Sequence, residues 1–160
     1  MIAVRTARPE DAEVMAKLLN AIINAGGTTS RTQETCGTEL TNLQVKNPDN
    51  SAWHVALDED QIIGFQWIAP ADYLPGEAAD ISTFAKQGQT QRGIGTALFA
   101  ATRGAARELG YDWINANIRA DNTSGLRYYK SLGFIDYGRK TNVTLGNGLI
   151  VNKILKRFDL

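Results

Sequence analysis

Cysteine, histidine and net charge are all nearly missing from this 160-residue chain, and each scarcity closes off a class of chemistry. Cys36 is the only cysteine and His54 the only histidine, which excludes an internal disulfide and any site built from several thiolates. With Thr, Glu and Gly around it and one histidine in the whole chain, Cys36 reads as an inert thiol. Seventeen Lys and Arg offset seventeen Asp and Glu, so no global field holds the protein to nucleic acid or to an anionic membrane. No stretch approaches the roughly eighteen apolar residues of a spanning helix, and Met1 to Thr6 lacks the apolar run of a signal peptide. The expectation is a soluble, cytoplasmic protein without a metal, acting on a small molecule. At this length one compact domain over residues 1–160 is the default.

What is present is an ordered series of strand and helix signals. Ile2 to Thr6 alternates apolar and polar residues as a strand does. Pro9, Glu10 and Asp11 then suit a first helical turn, and Val14, Leu18 and Ile22 form an apolar stripe with Met15 and Leu19 beside it. Gly26-Gly27 ends that helix. The polar stretch from Thr28 to Asn50 carries a second, partly exposed helix around Glu34 to Val45. Trp53 to Leu57 and Gln61 to Ile68 read as a hairpin around Asp58-Glu59-Asp60. After a loop containing Pro70 and Pro75, Ala79 to Ala85 is the next strand. Gly93 leads into a helix with Ile94, Leu98, Ala101, Ala105 and Leu109 on one face, ended by Gly110. Trp113 to Ile118 is another strand, Asn122 caps a helix ending at Gly133, and Phe134 to Leu145 pairs with Leu149 to Phe158 around Gly146-Asn147-Gly148.

Two segments carry chemistry. The first is Gln91-Arg92-Gly93-Ile94-Gly95-Thr96-Ala97-Leu98-Phe99, where glycines at a helix start expose main-chain amides to an anionic phosphate group. A P-loop is excluded, because Gly95 is followed by Thr96-Ala97-Leu98 rather than by Lys and Ser or Thr. A dinucleotide fingerprint needs Gly or Ala at the position of Leu98, and a strand ending closer to the first glycine than Ala85 does. The longer approach suits coenzyme A, whose pantetheine arm runs back from its pyrophosphate and pairs with main-chain groups of Phe84, Ala85 and Lys86. The amides of Arg92, Gly93, Ile94, Gly95 and Thr96 then face the pyrophosphate, with the Arg92 guanidinium adding charge. The plain alternative is a tight turn before a helix. The second segment is Asn122-Thr123-Ser124-Gly125-Leu126-Arg127-Tyr128-Tyr129-Lys130-Ser131-Leu132-Gly133-Phe134.

Together these segments resemble the GNAT superfamily of acyl-CoA N-acyltransferases, and the likeness runs through most of the chain. The resemblance implies an α/β fold of the α+β kind. Its mixed, mostly antiparallel central sheet is flanked by helices, and its central strands splay apart to admit acetyl-CoA. The family's phosphate loop aligns with Thr90, Gly93 and Gly95; Thr90 departs from the usual Gln or Arg, and Gln87 stands where proline is common. In the later pattern Asn122, Gly125, Tyr128-Tyr129 and Gly133-Phe134 align, which places Asn122 and Tyr129 at the cofactor. The resemblance makes the Tyr129 phenol the proton donor to the departing thiolate, while the adjacent Tyr128 points about 100° away. Asp80 occupies the strand position where many relatives carry a glutamate base, and with period two it shares a face with Ser82 and Phe84. His54 and Glu77 are weaker candidates for the base. A main-chain amide near Phe84 or Ala85 is expected to stabilise the oxyanion.

The resulting expectation is an N-acetyltransferase acting by direct attack in a ternary complex of acetyl-CoA and a small primary amine. A lesser likeness to the phosphinothricin acetyltransferase-like branch, in the first helix, Asn24 to Thr35 and the closing strand, favours an amino acid-like or toxin-like zwitterion. An acyl-CoA sensor without turnover and a protein or peptide N-acetyltransferase are the alternatives. Leu149, Ile150 and Val151 form either a homodimer edge or a buried strand.

Overall fold

The alternation read above folds into one sheet with helices on both faces, in a computed structural model that describes residues 1–89 and 92–160. After β1 (Ile2–Thr6) and a 3₁₀ turn at Pro9–Asp11 comes α1 (Ala12–Ala25), followed by α2 (Gly37–Lys46), β2 (Ala52–Asp58) and β3 (Gln61–Ala69). The chain continues through β4 (Ala78–Ala85), α3 (Ile94–Glu108), β5 (Trp113–Arg119), α4 (Thr123–Leu132), β6 (Ile135–Thr144) and β7 (Ile150–Asp159). The strand order is β1-β2-β3-β4-β5-β7-β6. Every neighbouring pair is antiparallel except β4 with β5.

That exception creates the site. Parallel pairing joins only Ala78 to Trp113, Ala79 to Ile114 and Asp80 to Asn115, although β4 runs on to Ala85 and β5 to Arg119. Beyond Asp80 the two strands diverge, opening a gap in the middle of the sheet. The mostly antiparallel sheet with splayed central strands is therefore present as expected.

Each face of the sheet has its own core. Under α1 and α2, Met15, Leu19 and Leu40 pack on Trp53, Phe65, Trp67 and Phe84; Trp53 and Trp67 stack with ring centres 4.2 Å apart. Under α3 and α4, Phe99, Phe134 and Tyr129 pack on Ile114, Ala116 and Ile118. Full burial of a side chain of Leu or Phe size contributes about 1.5–3 kcal/mol, so these two layers supply most of the rigidity around the gap.

Two apolar faces are rotated from their expected positions. Val14 is 45% exposed, and α1 instead buries Ala12, Met15, Ala16, Leu19, Ile22 and Ile23, because the small Ala12 and Ala16 let the helix lie close to the sheet. Leu109 is 36% exposed; α3 buries Ile94, Leu98, Phe99, Thr102 and Ala106, a face turned toward Phe99 that leaves Ala101 and Ala105 half-buried at its margin. Helix α2 begins at Gly37 rather than Glu34. The Asn20 side chain pairs with both main-chain groups of Thr35, at 2.9 and 2.8 Å, and holds that segment extended. The hairpin turn is as expected: Glu59 and Asp60 both have positive φ, as a two-residue connection requires.

Candidate active site

The glycine segment forms a left-handed entry into α3. Gly93 caps the helix at φ 78° and ψ 15°, and a Cβ built on it meets nothing within 4 Å among the described residues. The Ala97 amide donates to the Gly93 carbonyl at 3.0 Å. The earlier first-turn amides, of Ile94, Gly95 and Thr96, have no acceptor within the helix and carry the positive end of its dipole. Buried Ile94 anchors this turn against Ala56 and Ile63. From the other side Tyr128 presses on Gly95: its hydroxyl donates to the Gly95 carbonyl at 2.7 Å, and a Cβ on Gly95 would run into its ring.

Three of the expected cofactor contacts are already engaged within the protein. The Arg92 amide donates to the Gln89 carbonyl at 3.2 Å, and its guanidinium binds Asp58 and the Gln89 side chain, each at 2.8 Å. Arg92 therefore ties the loop to the β2–β3 turn, and its amide drops out of the phosphate cradle. The Lys86 amide donates to the Ile63 carbonyl at 2.8 Å. With Gly64 opposite Ala85 in the register, hydrogen-bonding direction alternates, so the main-chain groups of Lys86 and Phe84 face β3 while those of Ala85 and Thr83 face the gap. Ala85 remains from the expected trio, and Thr83 joins it. The Phe84 side chain lies in the core under α1. Thr90 and Gln91 lie outside the described residues.

On the α3–α4 side of the gap stands Tyr129, only 7% exposed. Its hydroxyl lies 2.8 Å from Thr83 Oγ1, and the Gln66 amide donates to Thr83 Oγ1 at 2.8 Å and to the Tyr128 hydroxyl at 3.1 Å. Tyr128 directs its proton to Gly95 and Gln66 supplies one to Thr83, while in the Thr83–Tyr129 pair either hydroxyl can donate. With Thr83 as the donor, the Tyr129 proton is free for a further acceptor. Burial, followed by the neighbouring Tyr128, pushes the Tyr129 phenol well above the ordinary tyrosine value, and burial pushes Tyr128 up to about 12. Both phenols stay protonated at neutral pH.

Asp80 lies on the opposite face, where the β4–β5 pairing ends. Its Oδ1 accepts from Tyr73 Oη at 3.1 Å and from Asn115 Nδ2 at 3.0 Å. Asn115 in turn accepts from the Tyr137 hydroxyl. Burial raises the carboxyl above the usual aspartate range, opposed by the hydrogen bonds from Asn115 and Tyr73 and by Lys140 and Lys153. Tyr73 spans this cluster, with the Lys140 ammonium 4.1 Å from its ring centre.

Asn122 is occupied as cap and clamp: its oxygen accepts from the Gly125 amide and its nitrogen donates to the Thr28 carbonyl, both at 3.0 Å. Arg119 grips the same segment, donating to the Thr29 carbonyl at 3.0 Å while forking onto Asp121. With Arg31 lying 5.7 Å over the Trp67 ring, residues 28–31 roof the α1–α2 side of the gap. His54 sits on β2, across from Gln66 and two strands from the gap; burial lowers its imidazole pKa. The Glu77 carbonyl accepts from the Asp112 amide at 2.8 Å, at the paired end of β4 and away from the gap. Cys36 is exposed at the start of α2. Among the described residues no cluster of metal-ligating side chains occurs, and no helix is long and apolar enough to cross a membrane.

The comparisons agree with this geometry. The acetyltransferase (GNAT) domain family matches residues 2–135, whereas no curated protein matches. Among solved structures, yncA from Salmonella typhimurium, with its cofactor acetyl-CoA, superposes with a TM-score of 0.89 at 15% identity, over 99% of this chain and 94% of its own. A ribosomal-protein-alanine N-acetyltransferase from Brucella melitensis gives 0.89 at 21% identity, over 99% of both chains. A phosphinothricin acetyltransferase from Sinorhizobium meliloti, in complex with acetyl-CoA, gives 0.86 at 19% identity, over 99% of this chain and 88% of its own. At these identities the superpositions speak for the fold alone, while the family match adds the activity class. The chain belongs to the GNAT acetyltransferase family, whose co-substrate is acetyl-CoA.

Proposed function

We propose that the protein acetylates the primary amine of a small, amino acid-like or toxin-like molecule by direct attack in a ternary complex. One observation carries this reading: β4 and β5 part at Asp80, leaving a gap with a phenol on one face and a carboxylate on the other. The amides of Gly93, Ile94, Gly95 and Thr96 would hold the pyrophosphate, and the main-chain groups of Ala85 and Thr83 the pantetheine arm. Acetyl-CoA supplies an activated acetyl group on a thiolate leaving group. The roof made by residues 28–31 supports a small acceptor over a protein segment.

Asp80 is the base that takes the acceptor's ammonium proton, directly or through water, and its raised pKa brings it closer to that task. Tyr129 aims its proton at the departing sulfur. A thiol has a pKa of about 8.5, far below that of this buried phenol, so a hydrogen bond to the developing thiolate is favoured over complete proton transfer. Exposed Leu149 and Ile150, beside buried Val151, support a homodimer edge at the β6–β7 end of the sheet; sedimentation of the wild type against Ile150→Lys tests it.

Thiol release from acetyl-CoA against a panel of amines, corrected for the exposed Cys36, tests the main reading, with mass spectrometry locating the acetyl group on the acceptor. An acetyl group retained on Cys36 or any other side chain after acetyl-CoA alone would overturn direct transfer. Asp80→Asn is expected to lower kcat/KM roughly 100-fold at neutral pH. In the wild type the acid limb of the pH profile should lie above the ordinary aspartate value of about 3.9. Stability should move the other way. A carboxyl whose folded pKa is raised binds its proton more tightly in the folded state, so its ionised form opposes folding above that pKa. Asp80→Asn should therefore melt no lower than the wild type at neutral pH, and any gain should fade as the pH falls through the raised folded pKa and be gone below the ordinary carboxylate value. A lower Tm would make Asp80 a structural group instead.

A further inference from the structure

On the sheet face that carries Asp80, three cationic residues stand side by side across neighbouring strands. Arg119 on β5 is in register with Lys153 on β7, and Lys153 with Lys140 on β6. Arg119 is fully engaged with Asp121 and the Thr29 carbonyl. The two lysines are not: among the described residues neither takes part in an ion pair. Both are partly buried, where unpaired charge is costly. Burial, then the like charge of Lys140, hold Lys153 below the ordinary lysine range, while Asp80 opposes the shift. Lys140 and Asp80 sit at opposite ends of one tyrosine, the ammonium over the Tyr73 ring and the carboxylate at its hydroxyl. On the same face Asn117 Oδ1 is buried without a partner among the described residues, while its nitrogen donates to the Tyr73 hydroxyl at 3.4 Å.

These groups give one stretch of the sheet face two halves of opposite character. Asp80 and Asn117 Oδ1 offer acceptors to an ammonium; Lys140 and Lys153 offer donors to an anion. We propose that Lys140 and Lys153 are an anion subsite of the acceptor pocket, so that the acceptor is an amino acid bound by its carboxylate as well as by its amine. The subsite rests on the amine-transfer reading above and deepens it. An anion seated there would relieve the repulsion between the two lysines, which an uncharged acceptor cannot do.

The test pairs free amino acids with their carboxamides as acceptors for acetyl-CoA. The acids should be preferred by roughly tenfold or more in kcat/KM, the range of a lost charged hydrogen bond. Lys153→Met and Lys140→Met should each raise KM for the acids by about that factor relative to KM for the carboxamides, whereas any effect passed through Asp80 falls on both alike. Lys153→Arg should restore much of the preference. Equal use of acids and carboxamides, or variants that shift both alike, would overturn the subsite while the transferase reading stands. Binding without turnover separates the two ideas from the other side. Calorimetric titration of the CoA complex with N-acetyl amino acids and their amides should show acid-selective binding that Lys153→Met abolishes. That result upholds the subsite even where no amine is acetylated, and absence of selectivity overturns it.

Discussion

Gly93→Val should abolish measurable CoA binding while the protein stays folded. Gly93 sits at φ 78°, a conformation that costs an ordinary side chain about 1–2 kcal/mol and a β-branched one more. That strain falls on one residue at the helix entry, within reach of a domain's total stability. Among the described residues a built Cβ meets no neighbour within 4 Å. The Cβ of the valine thus meets no described neighbour, and the side chain would occupy the side from which the pyrophosphate is proposed to reach the amides of Ile94, Gly95 and Thr96. Calorimetry with CoA and a thermal melt separate the two effects. Unchanged affinity in a folded variant would place the cofactor elsewhere. Gly95→Ala is the contrasting case, since its Cβ meets the Tyr128 ring; there the loss should come with a displaced aromatic ring and a lower Tm.

Tyr129→Phe should cut kcat by roughly 10- to 100-fold, the range for a lost hydrogen bond to a charged group, with CoA affinity retained. Among the described residues the hydroxyl's hydrogen-bond partner is Thr83, so its removal leaves the ring packing against Phe134 intact. Thr83→Val should lower the rate less: it keeps the phenol but removes the hydroxyl that orients it. Tyr128→Phe serves as the control, because the Tyr128 proton is directed at Gly95 and its loss should loosen the loop and weaken cofactor binding rather than slow chemistry. Rates equal to wild type in Tyr129→Phe would remove the phenol from the mechanism.

The order of strands and helices was legible because period-two and helical patterns alternate with glycine and proline stops along the whole chain. Tyr129 and the Gly93–Gly95 turn were legible because local spacing places them. Helix faces were less so: with Val14 and Leu109 the apolar residue types pointed outward, since small alanines rather than the bulkiest side chains decide how closely a helix approaches the sheet. Which amides are free was not readable at all. Hydrogen bonds from Arg92 to Gln89 and from Lys86 to Ile63 follow from a turn and a register that no residue type announces. Tyr73 and Tyr137 meet only in three dimensions, at Asp80 and Asn115, as Thr83 and Gln66 do beside Tyr129 on the opposite face. Asn115 and Asn117 did carry a signal: polar amides at period two within an otherwise apolar central strand point at a cavity.

A sheet that opens at its own centre has an edge on the inside as well as at its rims. The inward rungs of Thr83 and Ala85 beyond the last β4–β5 pair are shielded by no neighbouring strand, so their amide hydrogens should exchange fastest in the free protein and slow markedly once CoA is added. A co-substrate seated along that edge as proposed would act as a borrowed strand, and the melting temperature should climb with the logarithm of the CoA concentration. Durability of this protein thus becomes a function of how much of the thioester surrounds it.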